Sequence, residues 1–280
     1  MSHLEAEGYK SKTRRSYGAA LRDCLKFLRQ SDCPYDCIEY AHVDRWLIAL
    51  RQRLKPRTIN VYISALRGFY SWCKRLGYVH ENLFRETRMV KAPRLLPKPL
   101  TEAQIVAIIG AAETPLDRAL LETLYATGAR IGEMVSMDIG GLDLDAGTVR
   151  ATGKGEVEKV LILTRPAVVA LRGYIEWRRG RRGDDLAPAR PLWSGKQRGR
   201  LDRKTIRAHL RACATRAGVT EHIWPHRVRH SFATHLLNHG ADLRAVQELM
   251  GHASITSTQI YTEVARDRLA KTVREAHPRA

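Results

Sequence analysis

Arg130, Lys154, His226, Arg229, His252 and Tyr261 are the residues of this chain whose types and order suit one reaction. Arg130 stands in Thr127-Gly128-Ala129-Arg130-Ile131-Gly132-Glu133, and Lys154 in Gly153-Lys154-Gly155. His226 and Arg229 share Pro225-His226-Arg227-Val228-Arg229-His230. His252 follows in Met250-Gly251-His252, and Tyr261 in Gln259-Ile260-Tyr261-Thr262. Attack on a phosphodiester by a phenol needs cations on the non-bridging oxygens, a proton donor for the leaving alkoxide, and the phenol itself. The set contains a candidate for each part.

Each residue also has a plainer reading. Guanidinium is permanently charged and presents a planar fork to two phosphate oxygens, which makes Arg130 and Arg229 candidate clamps. In a chain so rich in arginine they could equally be surface residues. Glu133, three residues after Arg130, lies on the same helical face and could be a simple helix ion pair. Lys154, at the tip of a turn, can reach a leaving 5′-oxygen as general acid, or be an ordinary exposed lysine. Lys159 is a nearby rival for that task. His226 and His252 can donate to phosphate or shuttle a proton near neutral pH. His230, His235 and His239 read as structural. Tyr261 could be a half-buried core tyrosine. As a nucleophile it would be helped by nearby cations, which ease loss of a proton whose unperturbed pKa is about 10.

The elements that must hold these residues are mostly helices. Tyr17, Leu21, Leu25 and Leu28 recur at helical spacing, as do Val43, Trp46, Leu47 and Leu50, and then Ile59, Tyr62, Leu66, Phe69 and Cys73. Between them stand Arg14, Arg15, Arg51, Arg53, Lys55, Arg57, Arg67, Lys74 and Arg75, a one-signed face suited to phosphates. Arg85 to Pro99 reads as an extended basic strap, because proline forbids a helix through it and like charge extends it. The next element opens on a capping box, Thr101 to Gln104, and runs helical to about Thr127 with a break near Pro115. From Thr148 to Leu163 the period changes to that of a β-hairpin around Gly153-Lys154-Gly155. Arg178 to Gly183 and Arg198 to Lys204 read as basic loops. Short helices close the chain: one ends at Gly240, one is capped by Asp242 and ends at Gly251, and one starts near Ser254 and carries Tyr261. The fold class expected is mainly α with a small antiparallel β-sheet. The expected domains are 1–84, a helical bundle, and 100–280, with 85–99 as linker.

The composition points the same way. In 280 residues, Lys and Arg outnumber Asp and Glu by 48 to 29, a formal charge of +19. Such an excess repels itself unless a polyanion is the partner, which favours nucleic acid. A basic RNA-binding protein would be expected to show aromatic stacking motifs, which are missing. No apolar run approaches the roughly eighteen residues of a membrane span, and Met1 to Glu5 lacks an apolar signal core, so a cytoplasmic protein is expected. Five cysteines do not read as a disulfide framework, and the close pair Cys33 and Cys37 lacks two further ligands for zinc. Neither a metalloprotease or two-metal pattern nor a Walker loop is present, so neither metal nor ATP is expected.

In the order Thr127–Glu133, Gly153–Gly155, His226–Leu237, Gly251–Ile255 and Thr258–Thr262, ending on His277-Pro278-Arg279-Ala280, the chain resembles the tyrosine recombinases, the lambda-integrase family, and within it the Xer-type site-specific recombinases. The resemblance covers most of the second half and only the pattern of the first. It implies a two-domain clamp on double-stranded DNA and a 3′-phosphotyrosyl intermediate formed without metal or ATP. It also implies strand exchange between two sites in a tetramer, of one chain or with a paralogous partner. It makes Arg130, Lys154, His226, Arg229, His252 and Tyr261 catalytic, with Glu133 supporting Arg130. Ile162 stands where the family usually has proline, and Lys159 where it has arginine. After Tyr261, Val264, Leu269 and Val273 form an apolar stripe. The resemblance implies that this tail docks on a neighbouring protomer; packing on its own domain is the other possibility. Rival readings are a phage or transposon integrase of the same family, a type IB topoisomerase and a non-catalytic DNA-binding regulator.

Overall fold

The computed structural model describes residues 8–9, 11–91, 98–153, 156–182, 186–195, 199–251 and 263–280. The chain divides into two compact units, Met1–Leu96 and Pro97–Ala280, each with its own apolar core. Among the described residues, helices predominate, and no helix is long and apolar enough to cross a membrane.

The first unit contains α1 (Ser11–Gln30), α2 (Tyr40–Arg53) and α3 (Pro56–Arg75). Its core is built on Leu28, Trp46, Leu50, Ile63, Tyr70 and Phe84, with the Trp46 and Phe84 rings edge to face at 5.9 Å. On α1 the buried stripe is Ala20, Cys24 and Leu28, while Leu25 is exposed. Cys24 lies seven residues after Tyr17, two helical turns on, so it keeps to that face and Leu25 turns away. The basic face is also thinner than its sequence suggests. Arg67 donates Nε to the Phe84 carbonyl and Nη2 to the Thr87 carbonyl. Arg53 pairs with Asp23 at 2.8 Å. The strap expected from Arg85 is docked at its start: the Asn60 side chain donates to the Val90 carbonyl and accepts from the Val90 amide. Pro93 and Pro97 of that strap lie outside the described residues.

The second unit begins pinned. The Leu100 amide donates to Ser231 Oγ at 2.7 Å, His235 Nε2 meets the Leu100 carbonyl at 2.8 Å, and Arg227 Nε donates to the Lys98 carbonyl at 2.8 Å. Thr101 caps α4 (Glu102–Gly110) reciprocally with Gln104, and Pro115 opens α5 (Pro115–Thr127). Gly128 ends α5 in the left-handed region, φ 56°. A short helix, α6 (Ile131–Ser136), leads to a three-stranded antiparallel sheet: β1 (Leu142–Asp143), β2 (Thr148–Thr152) and β3 (Glu158–Ile162), in that order. Thr148 faces Ile162 and Thr152 faces Glu158. Val149, Ala151 and Leu161 point into the core.

Among the described residues, five helices complete the unit: α7 (Arg165–Arg182), α8 (Arg203–Arg216), α9 (Pro225–Asn238), α10 (Leu243–Leu249) and α11 (Glu263–Ala276). Two basic stretches read as loops are partly helix. α7 runs through Arg178 to Arg182, and Arg178 is 2 % exposed, donating to the carbonyls of Pro191 and Leu192. It follows Leu171 and Tyr174 on one helical face, so here the period decides burial and charge does not. Arg203 and Lys204 already belong to α8, whose cap is Asp202.

In the single chain the tail packs on its own unit, the second of the two arrangements open to its stripe. Leu269 and Val273 are buried, and α11 meets α9, α10 and β3. Beyond the helix, His277 Nε2 meets the Tyr125 carbonyl at 3.3 Å, and Arg279 holds the buried Glu122 through Nε at 3.2 Å and Nη2 at 2.6 Å. The stripe was legible in sequence; what covers it was not.

Candidate active site

The site is organised on one buried carboxylate. α5 stops at Gly128, where a Cβ would collide with the Phe232 ring, and the chain turns so that Arg130 caps α6. Glu133 is then one turn along and 3 % exposed. Its Oε2 accepts from the Arg130 amide at 2.7 Å and its Oε1 from Arg130 Nη1 at 2.9 Å. Lys159 reaches Oε1 from β3 at 3.5 Å, and Arg229 Nη1 stands 4.0 Å from Oε2. Burial alone would raise the carboxyl's pKa. Hydrogen bonds from the Arg130 amide and guanidinium, with the charges of Lys159 and Arg130, outweigh it and hold Glu133 below the usual carboxylate range.

The two arginines are held differently. The Arg130 side chain is 36 % exposed and meets Glu133 through one nitrogen. Arg229 is buried on the core face of α9 with Val228 and Phe232. It donates Nη1 to the Gly128 carbonyl at 2.5 Å and Nη2 to the Met250 carbonyl. Burial, then the charge of Arg130, lowers its pKa to about 10, with Glu133 opposing, so it remains a cation at neutral pH. As a clamp it would therefore be a deep one, built into the floor.

His226 opens α9, with Pro225 at the first helical position. Desolvation and the charges of Arg229, Arg130 and Arg207 lower its pKa, which favours the neutral imidazole near pH 7. His235, set aside as structural, is buried: Nδ1 meets the Tyr125 hydroxyl at 2.8 Å while Nε2 faces the Leu100 carbonyl. His239 also bonds within its own helix, to the His235 carbonyl.

Thus Arg130, Glu133 and Arg229 come together, with the charge of both arginines felt at His226. Lys154, His252 and Tyr261 lie outside the described residues. Gly251 is the last described residue before His252. It has φ 62°, and a Cβ there would collide with Lys159 Nζ and lie 3.6 Å from Arg130 Nη1. Lys159 was noted in sequence only as a rival acid; its place against Glu133 follows from its register opposite Ala151, which spacing alone does not reveal. Arg207, on α8, stands in no motif that marks it in the sequence. All five cysteines are free thiols, three of them buried.

Comparison with known proteins gives the family. The phage integrase family matches residues 98–268, and the phage integrase N-terminal SAM-like domain matches residues 1–77. Tyrosine recombinase XerC of Xylella fastidiosa (strain 9a5c) is 39% identical over 234 residues, 82% of this chain and 78% of that protein. Tyrosine recombinase XerD of Mycobacterium leprae (strain TN) is 42% identical over 258 residues, covering 85% and 82%. A lambda integrase tetramer bound to a Holliday junction shares the fold, with a TM-score of 0.72 at 20% identity over 91% of this chain and 76% of that one. Sequence motifs, a mainly helical catalytic unit with a small antiparallel sheet, and curated relatives of this similarity place the chain in the phage integrase family, among the Xer-type tyrosine recombinases.

Proposed function

We propose that this chain is a site-specific DNA recombinase in which Tyr261 is the nucleophile, Arg130 and Arg229 clamp the scissile phosphate, and Lys154 protonates the leaving group. The observation that carries the reading is the convergence of Arg130, Arg229 and Lys159 on the single carboxylate of Glu133, with His226 beside them. Three cations around one anion leave about two positive charges uncompensated; a bound phosphodiester would neutralise one, and the extra charge that develops in the transition state the other.

The Tyr261 oxygen bonds to phosphorus while the bond from phosphorus to the 5′-oxygen breaks. The phenolic proton leaves to a neighbouring base, and Lys154 gives one to the departing oxygen. A 3′-phosphotyrosyl link and a free 5′-hydroxyl remain. The link conserves the energy of the phosphodiester, so a second 5′-hydroxyl can expel the tyrosine without ATP. His226 and His252 donate to the phosphate oxygens. Glu133 fixes the Arg130 fork.

Xer relatives and a DNA-bound tetramer among the structural neighbours support exchange between two sites by four protomers, either of this chain or with a paralogous partner, in resolving chromosome or plasmid dimers in the cytoplasm. Arg15, Arg51, Lys55 and Arg57 are exposed in the first unit and suit phosphates of the same duplex.

A nicked recombination site, from which the cleaved end is lost, tests the nucleophile. Wild type should accumulate a covalent protein–DNA band under denaturing conditions and Tyr261→Phe should not, although it still binds DNA. An adduct formed by Tyr261→Phe would remove Tyr261 from this role. Cleavage products joined between two sites, rather than relaxation of one, separate a recombinase from a topoisomerase.

A further inference from the structure

We propose that Lys159 is a positioning residue of the cleavage site, which holds the Glu133 carboxylate, and through it Arg130, against the corner at Gly251 from which the chain runs to His252 and Tyr261. This rests on the reading of Tyr261 as nucleophile.

The ammonium stands where three separate parts of the second unit meet. From β3, Nζ lies 3.5 Å from Glu133 Oε1, the oxygen that also receives Arg130 Nη1. A Cβ at Gly153, where the β2–β3 turn begins, would lie 3.8 Å from Lys159 Cε and 3.6 Å from Glu133 Oε1. At the end of α10, Gly251 approaches so closely that any side chain would displace Nζ. Lys159 is 21 % exposed at its side chain, so it is largely withdrawn from solvent.

A cation on a long stem suits that position. It has three donors that rotate about the side-chain axis, so one can face the carboxylate while the others face elsewhere. Arg130 belongs to the same short element as Glu133 and cannot tie that element to the sheet. Lys159 can, because β3 is paired along its length with β2. Its charge therefore keeps the carboxylate in register with the hairpin that carries Lys154. The effect on catalysis runs through Glu133 and Arg130, not through proton donation to the leaving oxygen.

That distinction supplies the test. Single-turnover cleavage is measured with full-length protein on a nicked site, in its ordinary form and with sulfur replacing the bridging 5′-oxygen, since a thiolate needs little protonation to leave. Lys159→Met should cleave the ordinary site roughly tenfold more slowly, the equivalent of about 1.4 kcal/mol. It should bind that site almost as well as wild type. Sulfur should restore Lys154→Ala but leave Lys159→Met as slow relative to wild type as before. Lys159→Arg, which keeps the charge, should recover most of the rate. If Lys159→Met does not fold, Lys159→Gln takes its place and must show the same sulfur-insensitive slowing. Equal rates for wild type and the uncharged variant overturn the proposal. Restoration by sulfur also overturns it, because Lys159 would then be the proton donor. Failure of Lys159→Arg to recover overturns it as well. A wild-type protein that forms no Tyr261-dependent adduct instead defeats the reading on which the proposal rests.

Discussion

Two glutamates in the second unit are almost fully buried, Glu133 at 3 % and Glu122 at 1 % exposure, and each is held by arginine. Their surroundings differ in what the cations have left to do. Arg279 grips Glu122 with Nε and Nη2 together, and Arg118 adds a contact at 3.3 Å from one turn earlier on α5. The two-pronged grip fixes the tail to the body of the unit. At Glu133 the cations arrive from α6, β3 and α9, and Arg130 uses one nitrogen of its fork. A buried ion pair is therefore no sign of chemistry by itself. Excess cations converging from several elements on one carboxylate are the better sign.

The sharpest way to break this contrast is to remove the arginines on either side of it. Arg130→Ala should reduce cleavage about a hundredfold or more, near 3 kcal/mol, with much less effect on DNA affinity. Its melting temperature should fall, but less than that of Arg229→Ala, because the buried Glu133 keeps the residue-130 amide and Lys159 as partners. Arg229→Ala should lose as much rate and also melt lower, because the Gly128 and Met250 carbonyls lose their donor. Single-turnover cleavage beside thermal melts separates the two. A binding loss as large as the rate loss would make both arginines mere DNA anchors.

Next in size is a pH effect at the tail. Desolvation, above all, lowers the pKa of His277 to about 4 from the ordinary imidazole value of about 6.5. The unfolded chain therefore binds the extra proton between those values, and the stability from keeping His277 neutral is full above about 6.5 and lost as pH falls toward 4. The loss amounts to roughly 3 kcal/mol. Melting temperatures from pH 7 down to 4.5 should fall less steeply in His277→Gln than in wild type. His235, also lowered chiefly by burial, keeps some slope in the variant.

Arg279→Ala should cost about 2 kcal/mol, the scale of hydrogen bonds to a charged group. It should lower the melting temperature while leaving cleavage of a single site little changed. Arg118→Ala should cost about 0.5 kcal/mol or less, since that pair is an i,i+4 contact with an arginine 44 % exposed. Similar losses from Arg279 and Arg118 would mean that the tail grip is no stronger than a surface pair.

The meeting of Arg130, Glu133 and Arg229 was more legible in sequence than the surface. The motifs around Arg130 and Arg229 are short and local, and the capping box at Thr101, the hairpin from Thr148 and the stop at Gly128 are written in a few residues each. Where reading failed, the deciding contact was distant. Arg178 looked like part of a charged loop because its acceptors, the Pro191 and Leu192 carbonyls, come from beyond the helix. Arg67 looked like a DNA contact until the chain returned to offer the carbonyls of Phe84 and Thr87. The tail's stripe was visible, but Glu122 and Tyr125, which receive its last residues, lie about 150 positions earlier, as the separations of 157 and 152 show. Charge in a sequence gives partners no address.

The pinned entry to the second unit decides where the chain can be severed. Lys98 and Leu100 share three hydrogen bonds with Arg227, Ser231 and His235, all on the helix that also carries Arg229. A protease cut before Lys98 would release a catalytic fragment with that helix still braced. A fragment starting at Thr101 would keep every catalytic residue proposed here, yet leave the hydroxyl, imidazole and guanidinium of that brace facing water.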